Sequence, residues 1–156
     1  LAICIIKPDR IIEAIKGAVQ LGVTRIIPII SERTQHKHLA EDRVKRCISQ
    51  AIEQSERFIL TELLPEISLF ELCSNNHHKQ IIAACESENC NNNIMNINKI
   101  EVNPIILIGP EGGFSEAEML MMKASNNIQT VSLGNSVLRA ETEAIAALSC
   151  VAMMRH

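Results

Sequence analysis

Two glycine-containing turns in the last third of the chain have the residue types that a small-molecule site needs. The first is IGPEGGFSEAE (108–118), in which an apolar run leads into two adjacent glycines and then into a helix-starting sequence. The second is LGNSVLRAETEA (133–144), with one glycine between an apolar run and a helical pattern. Glycines permit positive φ angles and a close approach of the backbone to a ligand. Both segments therefore favour a binding site built largely from backbone groups.

A capping box marks the helix that follows the first turn. Ser115 and Glu118 stand three residues apart, and Phe114 and Met119 flank them as the two residues of a hydrophobic staple. Such a junction presents unpaired N–H groups to a ligand. Two turns of this kind imply a crevice at the carboxyl edge of a parallel sheet, although glycine turns also simply connect the elements of any α/β domain. Neither turn fits the dinucleotide pattern GxGxxG or the phosphate loop GxxxxGK[ST].

The elements that position these turns follow from apolar periodicity. Short apolar runs alternate with helical patterns, which is typical of a mainly parallel sheet with crossover helices. Strands are predicted at 2–6, 24–30, 79–84, 104–108 and 129–133. Helices are predicted from Pro8 to Gly22, along a stripe from Val44 to Ser55, after Ser115, and from about Arg139. The pattern predicts a single α/β domain over residues 1–156.

Two segments carry a more specific expectation. Pro28 lies inside the second predicted strand, and a proline there indicates an edge strand or an irregular point. The sequence SENCNNNIMNINK (87–99) is polar and rich in asparagine, so it is predicted to be a surface loop.

Composition excludes several classes of protein. The chain is 47% hydrophobic and 21% charged, which is typical of a globular protein rather than a disordered one. No run approaches the roughly 18 apolar residues of a membrane span, and the start LAICIIKPDR lacks the features of a signal peptide. We therefore expect a cytoplasmic protein with no membrane partner. The chain begins at Leu1 inside an apolar run and without an initiator Met, which indicates a missing upstream piece.

The cysteines are scattered, and several fall inside apolar patterns where a thiol behaves as a small hydrophobe. We interpret all six as free thiols: Cys4, Cys47, Cys73, Cys85, Cys90 and Cys150. The alternative is a zinc site formed by Cys85 and Cys90 with His77 and His78. Their spacing does not supply a recognised four-ligand pattern, so no metal is predicted.

Charge is unevenly distributed along the chain. The net charge is −3, but residues 1–60 carry ten Lys or Arg against seven Asp or Glu, whereas the remainder carries five against eleven. If nucleic acid is a partner, the basic first part should meet its phosphates. The candidates are Lys7, Arg10, Lys16, Arg33, Lys37, Arg43, Lys45 and Arg46. The alternative is that these residues belong to solvated helix faces.

Taken together, IGPEGGFSEAE and LGNSVLRAETEA resemble the two signature segments of the RsmE family, SPOUT-class enzymes that methylate N3 of a uridine in 16S ribosomal RNA. Upstream, QLGVTRIIPIISERTQHK and AIEQSERF are similar to two further family segments, so the resemblance covers nearly the whole chain. It implies a SPOUT-type α/β fold with a C-terminal deep trefoil knot. It also implies S-adenosyl-L-methionine as cofactor, the small ribosomal subunit as partner, a homodimer, and an N-terminal PUA-like RNA-binding barrel that is absent from this chain.

The resemblance implies roles for named residues. The cofactor would be bound by Ala84, Cys85, Ile108, Gly109, Pro110, Glu111, Gly112, Gly113, Leu133, Gly134, Leu138 and Thr142. The catalytic candidates are Arg139 and Glu141. Arg139 either faces the substrate or braces the loops in an ion pair with Glu111 or Glu141, and Glu141 either accepts a proton or caps the final helix.

RNA contacts are assigned to Arg33, Lys37 and Arg57. Arg33 belongs to a SER segment with Glu32, and this segment suits loop bracing as well as RNA contact. No residue is assigned to a metal.

The chain departs from the family pattern LGPRILRTETA at Asn135, Ser136, Ala140 and Glu143. A serine cannot replace the bidentate phosphate partner that an arginine provides. Two alternatives to an active 16S enzyme therefore stay open. One is a module that keeps the fold but has weakened catalysis, and the other is a SPOUT methyltransferase that acts on another RNA.

Overall fold

A computed structural model of the chain describes residues 1–36, 38–56, 60–76, 79–86, 88, 90 and 92–154. Its strands are β1 (Ala2–Cys4), β2 (Arg25–Ile30), β3 (Glu62–Leu63), β4 (Ile67–Ser68), β5 (Ile81–Ala84), β6 (Asn92–Asn93), β7 (Ile105–Ile108) and β8 (Ile128–Ser132). Its α-helices are α1 (Pro8–Gln20), α2 (Glu41–Gln54), α3 (Leu69–Asn75), α4 (Glu116–Ala124) and α5 (Ala140–Met154).

The strands form one sheet in the order β3-β2-β1-β7-β5-β8-β6, with β4 also beside β2. Every pairing among the described residues is parallel. The mainly parallel α/β fold predicted from periodicity is therefore confirmed. The trefoil knot stays a prediction.

Successive side chains of the central strands point to opposite faces of the sheet, and both faces are apolar. In β7, Ile106 and Ile108 pack in the cluster that includes α1, α2 and α5, whereas Ile105 and Leu107 pack in the cluster that includes α3 and α4. The sheet is therefore covered on both faces, which explains why its strands are continuous apolar runs. Helix α3 was not predicted, although its capping box, Ser68 with Glu71, is a local signal that could have located it.

Pro28 does not lie on an edge strand. It pairs with Ile3 of β1 inside the sheet, so the edge-strand expectation was wrong. The backbone N–H groups of Ile27 and Ile29 point toward β1, because these two residues take part in the hydrogen-bond ladder between β2 and β1. The nitrogen of Pro28 therefore points the other way, between the short pairings of β2 with β3 and with β4. Between these two short pairings, the Pro28 nitrogen does not have to donate a ladder hydrogen bond.

The asparagine-rich segment is not simply a surface loop. It contains β6, which pairs with β8, and a 3₁₀ helix at Ile94–Asn96. The side chains of Ile94 and Ile97 are 2% and 8% exposed and belong to the core that includes α1 and α5. The polar composition of the segment gives no indication that these two apolar side chains are buried. The segment is therefore fastened to the core at the edge of the sheet.

The expectation of six free thiols was wrong for one pair, because Cys85 and Cys90 are joined by a disulfide. The other four are free. Burial raises the pKa of the Cys4 thiol to about 12 and that of Cys73 to about 11. Both thiols therefore stay protonated and behave as small apolar side chains.

The last helix, α5, packs closely against α1. A Cβ atom added to Gly17 of α1 would lie 2.8 Å from Cγ1 of Ile145, so the glycine permits this approach. Within the described residues, no helix combines the length and apolar character that crossing a membrane requires. The apolar surface of α5 instead helps to form the core through Ala144, Ala147 and Leu148.

The adjacent residues Ile94 and Met95 provide a test of the anchoring role of this segment. Ile94→Ala should lower the free energy of unfolding by about 3 kcal/mol, because it opens a cavity in the core. Met95→Ala should change it by less than about 0.5 kcal/mol, since the Met95 side chain is 63% exposed. Urea denaturation of both variants measures the difference. Equal effects would show that the segment is not anchored through Ile94.

Candidate functional site

The carboxyl ends of β1, β7, β5 and β8 border a cavity of about 540 Å³. These four strands are consecutive neighbours in the sheet, so the segments that follow them meet at one edge. A cavity of this volume and position is typical of a small-molecule site. The crevice predicted from the two glycine turns therefore exists.

Most of the residues assigned to cofactor binding line this cavity. They are Ala84, Cys85, Gly109, Pro110, Glu111, Gly112, Gly113, Leu133, Gly134 and Leu138, and the RNA-contact candidate Arg33 and the catalytic candidate Arg139 line it as well.

Three assigned residues lie off the cavity wall. Ile108 is fully buried in the core beneath the loop, and Thr142 is exposed. Glu141 is 5% exposed. The RNA-contact candidates Lys37 and Arg57 lie outside the described residues.

Glycine is required by the backbone in both loops. Gly113 has φ of +66° and Gly134 has φ of +130°, a region that other residues rarely adopt. A Cβ atom added at either position would meet no other atom within 4 Å. Each loop therefore presents bare backbone to open space.

The start of α4 is joined to the SER segment by a single carboxylate. Glu118 Oε2 accepts a hydrogen bond from the N–H of Ser115 at 2.8 Å, which completes the predicted capping box. Glu118 Oε1 accepts another from the N–H of Glu32, also at 2.8 Å. Arg33 Nη1 then donates to the carbonyl oxygen of Gly112 at 2.9 Å. Glu32 and Arg33 thus brace the first glycine loop, which is one of the two uses expected of them.

Arg10 connects the first glycine loop to the start of α5, the helix that follows the second glycine loop. Its Nη1 atom donates to Oε1 of the buried Glu141 at 3.3 Å, and its Nε atom lies 3.7 Å from Oε1 of Glu111. Glu141 Oε2 is buried, with no hydrogen-bond partner among the described residues. Arg139, by contrast, is exposed and forms no ion pair within the described part of the chain. The bracing role considered for Arg139 is therefore filled by Arg10.

Several residues of the cavity wall were not predicted as site residues. They are Lys7, Arg10, Glu86, Glu88, Phe114, Met119, Asn135, Ser136, Val137, Ala140 and Glu143. The charge distribution predicts Lys7 and Arg10 only as candidates for phosphate contact. They reach this wall because they follow β1, which borders β7 in the folded sheet, and no local pattern encodes that neighbourhood. The four positions that depart from the family pattern all lie on this wall.

Glu143 is in an unusual electrostatic environment. Burial, with a smaller contribution from the charge of Glu86, raises the pKa of its carboxyl to about 7. The carboxyl forms no ion pair among the described residues. The described part of the chain also contains no group of three His, Cys, Asp or Glu residues placed to hold a metal ion.

A family model described as RNA methyltransferase domain matches residues 1–152. The chain belongs to this family. A relative from Rickettsia conorii, named ribosomal RNA small subunit methyltransferase E, is 36% identical over 156 residues. The alignment covers 99% of this chain and 64% of the relative, so the chain spans less than two thirds of that protein's length.

Solved structures give the same result for the fold. The Neisseria gonorrhoeae ribosomal RNA small subunit methyltransferase E, bound to S-adenosyl methionine, has a TM-score of 0.84 at 30% identity, covering 98% of this chain and 65% of its own. The SpoU methyltransferase AviRb from Streptomyces viridochromogenes has a TM-score of 0.61 at 16% identity, covering 99% and 60%. The family that the resemblance predicted and its SPOUT fold are therefore confirmed.

The loop connection made by Arg10 leads to a stability prediction. Arg10→Ala should lower the free energy of unfolding by about 2 kcal/mol, because it leaves the buried Glu141 carboxylate without a cation. Adding Glu141→Gln should recover part of this loss, since the amide carries no charge. Chemical denaturation measures both changes.

The control is Arg43→Ala, whose ion pair with Asp9 is exposed and should contribute less than about 0.5 kcal/mol. Equal losses for Arg10→Ala and Arg43→Ala would contradict the bracing role.

Proposed function

We propose that this chain is the catalytic domain of an S-adenosylmethionine-dependent methyltransferase that modifies ribosomal RNA of the small subunit. The observation that supports this most strongly is the meeting of two glycine loops at one cavity, in a chain that belongs to the RNA methyltransferase family. Its similarity to a solved relative that is bound to S-adenosyl methionine supports the choice of cofactor.

The residues on the wall suit this cofactor. Leu133, Leu138, Phe114 and Met119 offer apolar surface for the faces of an adenosyl group. The bare backbone at Gly113 and Gly134 leaves room for close approach and for hydrogen bonds to main-chain groups. We propose that the loops Gly109–Gly113 and Leu133–Leu138 hold the cofactor. When bound, S-adenosylmethionine supplies an activated methyl group.

Arg139 is the proposed substrate-facing residue. We assign N3 of a uridine as the methylated atom. Its proton passes to solvent, and the new bond from nitrogen to the methyl carbon would form as the bond from that carbon to the cofactor sulfur breaks. As the proton leaves, negative charge grows on the neighbouring carbonyl oxygens of the base. The Arg139 guanidinium lines the cavity and has no ion pair among the described residues, so it is available to stabilise that charge. Glu141 is off the wall and paired with Arg10, which favours a structural role for it.

The wider organisation follows from the same proposal. Residues 1–156 form one SPOUT-type domain, which works as a homodimer in the cytoplasm with a PUA-like RNA-binding domain elsewhere in the protein. Lys7 and Arg33 lie on the cavity wall beside β1 and β2, where they would meet RNA phosphates.

A binding module with weakened catalysis is the second candidate. It is favoured by the position of Ser136 on the cavity wall, because serine cannot hold a phosphate as arginine does.

Two glycines with positive φ give a matched test of the cofactor site. Gly134 is in the second ligand loop, and Gly22, with φ of +95°, follows the C-terminus of α1 away from the cavity. Gly134→Ala and Gly22→Ala should each cost about 1 to 2 kcal/mol of stability through backbone strain. Gly134→Ala alone should weaken S-adenosylmethionine binding, by roughly tenfold or more, since this loop contacts the cofactor.

Isothermal titration calorimetry of the folded variants measures these affinities. If the unaltered chain shows no binding at millimolar cofactor, the proposed site is wrong. If Gly22→Ala loses as much affinity as Gly134→Ala, the effect comes from strain in general rather than from the loop.

A further inference from the structure

Apart from Arg139, which follows β8, the charged residues on the cavity wall are separated by sign along the edge of the sheet. The cations Arg33 and Lys7 follow β2 and β1, whereas the carboxylates of Glu86 and Glu88 follow β5. At ordinary strand spacing, β5 lies about 14 Å from β2, which precedes Arg33, and about 10 Å from β1, which precedes Lys7. Arg10 and Glu111, between them, pair with each other. The cavity is therefore basic beside β2 and β1 and mainly acidic beside β5, where the exposed Arg139 is a cation on the acidic side.

Glu143 belongs to the acidic side. It lies in the first turn of α5 and lines the cavity on the side of Glu86, whose charge acts on it. Its carboxyl is half-buried, and within the described part of the chain no cation forms an ion pair with it. A half-buried carboxylate without a partner is unfavourable in the free protein. A positively charged ligand in this cavity would remove that cost.

The proposed cofactor has such a charge at its reacting centre. The sulfonium of S-adenosylmethionine has no N–H donors, and its charge is surrounded by carbon atoms. It can therefore approach a half-buried carboxylate without giving up the hydrogen bonds to water that an ammonium group keeps. The product, S-adenosylhomocysteine, has a neutral sulfur at the same position.

We propose that Glu143 is a specificity-determining residue that stabilises the sulfonium of the bound cofactor and so favours S-adenosylmethionine over S-adenosylhomocysteine. The inference rests on the proposed function. Its consequence is that methyl transfer removes the charge which Glu143 stabilises. The product is then held less tightly than the cofactor and leaves more readily.

Calorimetry with both ligands tests this directly. Glu143→Gln should bind S-adenosylmethionine about tenfold more weakly and S-adenosylhomocysteine with unchanged affinity, because only the first ligand loses a charge interaction. The control is Glu53→Gln, which removes the same charge from an exposed position of α2 that is not on the cavity wall. It should behave like the unaltered chain.

The pH dependence of binding gives a second readout. Glu143 has a pKa of about 7, so the unaltered chain should bind S-adenosylmethionine more tightly as pH rises from 6 to 8. Glu143→Gln should lose this dependence, although Glu86 and Glu88 and the cations Lys7, Arg10, Arg33 and Arg139 still face the cavity. Since the pKa is raised on folding from 4.5 to about 7, stability is lost as pH rises from about 4.5 through 7 and then stays level. Glu143→Gln should therefore match the unaltered chain in thermal stability at pH 5 and exceed it at pH 8.

The possible failures are distinguishable. Suppose that the unaltered chain binds S-adenosylmethionine while Glu143→Gln lowers the affinity for both ligands equally, or for neither. Either result overturns the role of Glu143 and leaves the cofactor site standing. If the unaltered chain binds neither ligand, the proposed function fails and this inference fails with it.

Discussion

The ion pairs of Arg10 hold together a site whose parts are distant in sequence. Arg10 is 131 residues from Glu141, yet one guanidinium contacts both the first glycine loop and the start of the final helix. This is possible because β1 lies beside β7 in the sheet, so the helix that follows β1 begins next to the ligand loops. Glu141 is nearly fully buried, and a buried carboxylate is costly without a cation. Arg10 therefore holds the first glycine loop against the start of α5, directly after the second loop.

Loops that are held in place suit a reaction that depends more on the alignment of the two reactants than on acid–base catalysis. When the methyl group arrives already activated, the protein must mainly align the attacking nitrogen with it and remove one proton. Arg33 and Glu118 brace the first loop from the other side, through Gly112 and the N–H of Glu32. Arg10 and Arg33 brace the loops, whereas Arg139, on the cavity wall, has no ion pair among the described residues.

Local signals in the sequence predicted the parts of the site that depend on neighbours in the chain. The glycine loops, the Ser115 capping box and the strands before them could be predicted because their causes lie within a few residues. The contributions of Lys7 and Arg10 depend on which strands are adjacent, and no short pattern encodes strand order. The edge-strand prediction for Pro28 was wrong for the same reason. The gap that Pro28 faces lies between β3 and β4, two short strands that are distant in sequence. The resemblance supplied most of the remaining assignments.

Methyl transfer to small-subunit ribosomal RNA is the reaction that we propose for this protein. The most direct measurement uses the full-length protein that contains this chain, methyl-labelled S-adenosylmethionine, and small-subunit RNA that lacks the modification. After digestion of the RNA, mass spectrometry identifies the labelled nucleoside. The account predicts label on a single uridine, at N3 of the base. Cofactor binding without any label in the RNA would contradict it and would instead indicate a binding module.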